Sequence, residues 1–135
     1  MKWKVGDEVK QTIVIDNEMI TAFAHLTGDR NPIHLDEEFA KKSRFGRRIA
    51  HGMLVASQIS KLLGTECPGH GTIYLSQTLK FSAPVYINDE ITTNAQVLEI
   101  KVGKSGKPIL TLNTSCTNQK GVIVLDGVAV VALDE

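Results

Sequence analysis

The sequence predicts an α+β domain in which one broadly apolar helix covers an antiparallel sheet. Three observations carry that expectation. Residues 50–64 are apolar around most of a helical circumference. After Pro68 the chain turns into β-rich segments separated by Asn-, Asp- and Gly-containing turns. No repeat, low-complexity tract or linker divides residues 1–135, so one domain is expected.

Lys10-Gln-Thr-Ile-Val-Ile15 is short and β-branched, which predicts a first strand. Asp16 or Asn17 can cap a helix that follows. Over Glu18–Thr27 the apolar Met19, Ile20, Phe23 and Leu26 fall at helical spacing, and Gly28 supplies a stop. Residues 29–49 are polar, with a short helix over Asp36–Lys42. The main helix is expected over Ala50–Gly64, its apolar set being Ile49, Met53, Ala56, Ile59, Leu62 and Leu63. So wide an apolar stripe requires burial. Strands follow over Thr72–Phe81, Glu90–Ile100, Pro108–Thr117 and Val122–Ala132. Their separators, Asn88-Asp89, Gly103–Gly106 and Asn118–Gly121, suit a five-stranded antiparallel meander.

Composition narrows the function. Fifteen basic and 15 acidic residues cancel, so no strong field draws the chain to nucleic acid or an anionic membrane. No apolar run approaches the ~18 residues that span a bilayer. Cys67 and Cys116 are far apart and make no disulfide framework, which fits a reducing compartment. The polar opening Met1-Lys-Trp-Lys-Val-Gly is unlike a secretory leader, so a cytoplasmic protein is expected. His25, His34, His51 and His70 lack close ligand spacing, and no metal is expected. Gly103-Lys104-Ser105 mimics the end of a phosphate-binding loop, but Leu98 stands where its first glycine belongs. There is no Gly-x-Ser-x-Gly elbow.

The informative stretch is Thr27-Gly-Asp-Arg-Asn-Pro-Ile-His34. It places an acid, Asp29, and an imidazole, His34, five residues apart. Pro32 biases Asn31 away from helical dihedrals, so an ordered loop is expected. A rigid loop carrying an acid and a base suits proton transfer if the two side chains converge. The same residues are also ordinary turn chemistry, with Asp29 and Asn31 bonding the local backbone.

The longer pattern Phe23-Ala-His-Leu-Thr-Gly-Asp29-Arg-Asn31-Pro32-Ile-His34, followed by Ala40, resembles the hydratase-2 motif of the MaoC-like family. The resemblance extends over nearly the whole chain and implies a hot-dog fold, in which the antiparallel sheet wraps around the central helix. It implies (R)-specific hydration of trans-2-enoyl-CoA, as in the short hydratases that feed polyhydroxyalkanoate synthesis. Asp29 and His34 would be the catalytic pair holding one water, and CoA would enter as part of the substrate, with no separate cofactor. Asn31 would brace the loop. Ser60 would face the site from the main helix or bond back within it. Gly52 N–H, at the helix start, would stabilise an enolate-like oxygen. His51 reads as a cap or a packed histidine. In Lys41-Lys42-Ser-Arg44-Phe-Gly-Arg47-Arg48, the three arginines are candidate contacts for CoA phosphates. A homodimer is expected, since an open sheet leaves edges to pair and the family's substrate tunnel runs between subunits.

Other readings stay open. The chain could dehydrate 3-hydroxyacyl groups on acyl carrier protein, hydrolyse acyl-CoA as a hot-dog thioesterase, or bind acyl-CoA without turnover. The intact Asp-x-Asn-Pro-x-His pattern weighs against the last two.

Overall fold

A computed structural model describes residues 1–134. Its strands are β1 (Glu8–Val14), β2 (Thr72–Gln77), β3 (Lys80–Phe81), β4 (Glu90–Val102), β5 (Pro108–Thr117) and β6 (Ile123–Leu133). Its helices are α1 (Asn17–Thr27), α2 (Pro32–Leu35), α3 (Glu37–Lys41) and α4 (Gly52–Thr65). The strands form one six-stranded sheet in the order β1-β4-β5-β6-β2, with β3 also paired to β6, and each pairing is antiparallel.

Helix α4 lies against the concave face and packs on β4, β5, β1 and β2. Leu54, Val55, Ile59, Leu62 and Leu63 are buried there against Val97, Leu110, Leu112, Ala129 and Val131. Each such aliphatic side chain contributes about 1.5–3 kcal/mol by leaving water. Alternation in β5 carries this packing: Leu110, Leu112, Thr114 and Cys116 face the helix, while intervening residues face outward. Burial pushes the Cys67 thiol up to about 11, so it stays protonated in the core.

Several boundaries differ from expectation. The meander holds only for β4, β5 and β6; β1 and β2 take opposite edges. Strand β1 starts earlier than Lys10 and leaves Ile15 in the core beyond its end. Thr72–Phe81 is not one strand, because pairing with β6 shifts between Tyr74 and Ser76 and stops at Gln77, making the sheet six-stranded. There the chain crosses β6 at Gly127, where any side chain would run into the Thr78 carbonyl. Met53 and Leu26 have helical apolar spacing yet are 57% and 84% exposed, since their faces turn from the sheet. The loop expected over Asp29–His34 contains a one-turn helix, α2, begun by Pro32 at its first position.

Candidate active site

Helix α1 begins at Asp16, whose side chain accepts the Met19 N–H at 2.9 Å. It ends at Gly28, which takes the left-handed conformation at φ 81° and donates its N–H to the Ala24 carbonyl. The next residue is Asp29. Its Oδ1 accepts the Asn31 N–H at 3.2 Å, and Asn31 Oδ1 in turn accepts the Ile33 N–H at 3.4 Å. Asn31 thus both braces Asp29 through its backbone and starts α2 with its side chain. The turn reading of this segment holds, and its backbone bonds fix where the Asp29 carboxylate stands.

His34 is carried by α2 and is 8% exposed. Its Nδ1 lies 2.7 Å from the Ile49 carbonyl, which can only accept, so the neutral ring carries its proton on Nδ1 and leaves a lone pair on Nε2. Burial is the main influence on its basicity and holds its pKa below the usual 6.5. The bond to Ile49 opposes that shift, and the neighbouring His51 reinforces it.

His51 is the N-cap residue of α4, but its side chain caps none of the helix N–H groups. It is a packed histidine, 2% exposed, and what it packs against is the site. Its ring stacks on His34 with centroids 3.9 Å apart and meets the tilted Phe23 ring at 4.8 Å. Its Nε2–H donates to the Asp29 carbonyl at 2.9 Å. One ring therefore locates the backbone of the acid and the imidazole of the base.

Polar atoms of Asp29, His34 and His51 lie within 4.8 Å of one another. Sequence spacing hid this cluster. The two imidazole planes are inclined by 26°, and His34 Nδ1 and His51 Nε2 are already engaged by the Ile49 and Asp29 carbonyls. Two ~2.8 Å hydrogen bonds at a tetrahedral angle reach about 4.6 Å, so one water is of a size to bridge groups gathered within that limit.

Gly52 opens α4. The Leu54 and Val55 N–H groups both bond the His51 carbonyl, while those of Gly52 and Met53 have no partner among the described residues. A hollow of about 260 Å³ brings Gly52 and Met53 together with Asp29, His34, His51 and Phe81. A second hollow, of about 300 Å³, leads from His34 and Gly52 past Ser82 and Pro84 to Arg44. A third, of about 620 Å³, lies between α4 and β2 and is mostly apolar, with Phe23, Met53, Ala56, Leu75 and Leu79 in its walls. Ser60 is exposed and faces this third hollow, whereas the hydroxyl that bonds back within α4 is that of Ser57.

The arginines divide. Arg44 is exposed, stacks on Phe45 and lines the channel that ends at His34. Arg47 is exposed, with its guanidinium 4.3 Å from the centre of the Tyr86 ring. Arg48 corrects the expectation of a phosphate contact. It is 8% exposed, and its Nε donates to the His34 carbonyl at 2.6 Å and its Nη2 to Asn17 Oδ1 at 2.7 Å. Its guanidinium ties α1 to α2 and is turned away from any entering phosphate. The run of basic residues concealed this, because a buried arginine and a solvated one look alike in sequence.

Asp29, His34 and His51 thus gather in one hollow beside the Gly52 and Met53 N–H groups, which have no partner among the described residues. The six-stranded antiparallel sheet packed on α4 is a hot-dog fold, one that hydratases and dehydratases share with thioesterases, so the class rests on likeness to particular proteins. Residues 2–119 match the family model described as MaoC like domain, and the chain belongs to that family. It is 42% identical to the (R)-specific enoyl-CoA hydratase of Aeromonas caviae over 130 residues, covering 96% of this chain and 95% of that protein. The solved structure of the (R)-hydratase from A. caviae involved in PHA biosynthesis superposes with a TM-score of 0.92, covering 98% of each chain at 42% identity. A mitochondrial 3-hydroxyacyl-[acyl-carrier-protein] dehydratase of Arabidopsis thaliana is 40% identical, covering 96% of this chain and 77% of that protein.

Proposed function

We propose that the protein is a hydro-lyase, an (R)-specific enoyl-CoA hydratase that adds water to trans-2-enoyl-CoA to give (R)-3-hydroxyacyl-CoA. The observation that carries this is the gathering of Asp29 and His34, with polar atoms within 4.8 Å and the His34 Nδ1 engaged by the Ile49 carbonyl, in one hollow with Gly52, whose N–H has no partner among the described residues. Water donates one hydrogen bond to Asp29 and the other to His34 Nε2. As its oxygen bonds to C3, His34 takes its proton and the thioester carbonyl becomes enolate-like. Gly52 N–H stabilises that oxygen. The imidazolium then returns the proton to C2 on the same face, so one water has been added and His34 is neutral again. Asp29 orients the water and stabilises the transient imidazolium. The CoA arm fits the channel between Arg44 and His34, and the acyl chain fits the apolar hollow past Ser60. CoA belongs to the substrate, and the mechanism calls on no separate cofactor.

The (R) outcome and the CoA carrier follow the names of the bacterial relatives. The plant relative's name favours a second reading, the reverse reaction on an acyl-carrier-protein substrate. We further infer a cytoplasmic homodimer. Strand β2 is a sheet edge, and its Ile73, Tyr74 and Leu75 are all exposed apolar side chains that pairing would cover. Among the described residues no helix is long and apolar enough to cross a membrane.

Purified protein mixed with crotonyl-CoA tests the main reading. Loss of the enoyl-thioester absorbance with formation of the (R)-alcohol is expected. Release of free CoA would overturn it in favour of a thioesterase, and tight binding without turnover in favour of a binding subunit. Crotonyl-acyl-carrier-protein in the same assay separates the two carriers.

A further inference from the structure

Phe81 is 52% exposed although it belongs to a strand of the sheet. Its ring lies across the start of α4, so close that a methyl group on Gly52 would sit 2.7 Å from Phe81 Cε1. It lines both the reaction hollow with Asp29 and His34 and the channel that leads to Arg44. The ring therefore stands where the two spaces meet.

Its backbone cannot easily retreat. Thr78 N–H donates to the Val128 carbonyl at 2.9 Å, and Val128 N–H donates to Thr78 Oγ1 at 2.8 Å. Phe81 then pairs with Leu125, and Ser82 N–H bonds the Val124 carbonyl at 2.9 Å. The crossing at Gly127 has no room to shift inward.

Given the hydratase reading, on which this step rests, the substrate's position near Phe81 follows from its chemistry. C1 carries the carbonyl held by Gly52 N–H, and C3 meets the water held by Asp29 and His34. C2 lies between them and must receive a proton from His34. The remaining C2 substituent shares the 260 Å³ hollow with the Phe81 ring. We propose that Phe81 is a specificity-determining residue: its ring, wedged against Gly52, confines the site to 2-enoyl thioesters unbranched at C2. Gly52 and Phe81 act as a pair, the missing side chain of one making room for the ring of the other.

The test compares kcat/KM for crotonyl-CoA and 2-methylcrotonyl-CoA in the wild type, Phe81→Ala and Phe81→Leu. One methylene in a tight pocket changes discrimination by roughly 10- to 200-fold. The wild type is expected to prefer crotonyl-CoA strongly. Phe81→Ala is expected to narrow the preference about tenfold or more through a rise in the 2-methylcrotonyl value, with Phe81→Leu in between. Rates for both substrates falling together in both variants would mark a merely structural ring and overturn the proposal. Equal use of the two substrates by the wild type would overturn it as well. Should Phe81→Ala fail to fold, the ratio in Phe81→Leu decides. A wild type inert toward crotonyl-CoA would instead refute the hydratase reading itself, a different outcome from an unchanged ratio.

Discussion

Replacing Arg48 separates a structural arginine from a substrate-binding one. Its guanidinium donates at 2.6 Å to the His34 carbonyl, inside the protein, and at 2.7 Å to Oδ1 of the exposed Asn17. Its third contact, Nη1 to Glu37 at 3.4 Å, reaches a carboxylate whose side chain is 62% exposed. That ion pair contributes about 0–1 kcal/mol because solvent screens it. Each inner bond has a charged donor and is worth about 1.5–3 kcal/mol. Arg48→Met keeps the aliphatic stem but orphans the buried His34 carbonyl, while water can replace the donor at Asn17, and the expected loss is about 3 kcal/mol. For a domain of this size that is a fall in Tm of roughly 10 °C. Because the lost bond holds the backbone of His34, kcat for crotonyl-CoA should fall with little change in KM. Scanning calorimetry and steady-state kinetics on the same preparation provide the assay. A Tm within about 2 °C of wild type together with a several-fold higher KM would refute this reasoning and restore Arg48 as a phosphate contact.

The proposed catalytic pair and the exposed arginines give further expectations. Asp29→Asn and His34→Ala should each lower kcat by about 10²- to 10⁴-fold while circular dichroism stays native, and a variant retaining a tenth of wild-type kcat would remove that residue from the mechanism. The proposed mechanism needs neutral His34, whose pKa is held below 6.5, so kcat/KM should be level near neutrality and decline only as pH falls through that lowered value. The sign for stability is the same: between the two pKa values the unfolded chain binds more protons, so acid below pH 6.5 destabilises the fold, and this contribution is lost in His34→Ala. Neutralising Arg44 and Arg47 together should raise KM for CoA substrates more than it lowers kcat and should weaken the dependence of KM on salt; an unchanged KM would dismiss the phosphate contact.

Much of the architecture is written in local patterns. Turn residues and alternation mark β4, β5 and β6 because strand periodicity and turn chemistry are short-range properties. Asp16 and Gly28 mark the ends of α1 for the same reason. The acid–imidazole motif is contiguous, so Asp29 and His34 could be picked out without a structure. Tertiary packing decided what depends on residues far apart in the chain. It exposed Met53, split β2 from β3 where the chain crosses Gly127, and turned Arg48 inward to the carbonyl of His34. It also stacked His51 on His34, 17 positions away, and laid Phe81 over Gly52, 29 positions away. The sequence alone determined which groups can move a proton. Only the fold decided which of their neighbours lose water, and that loss sets both the basicity of His34 and the shape of the space beside it.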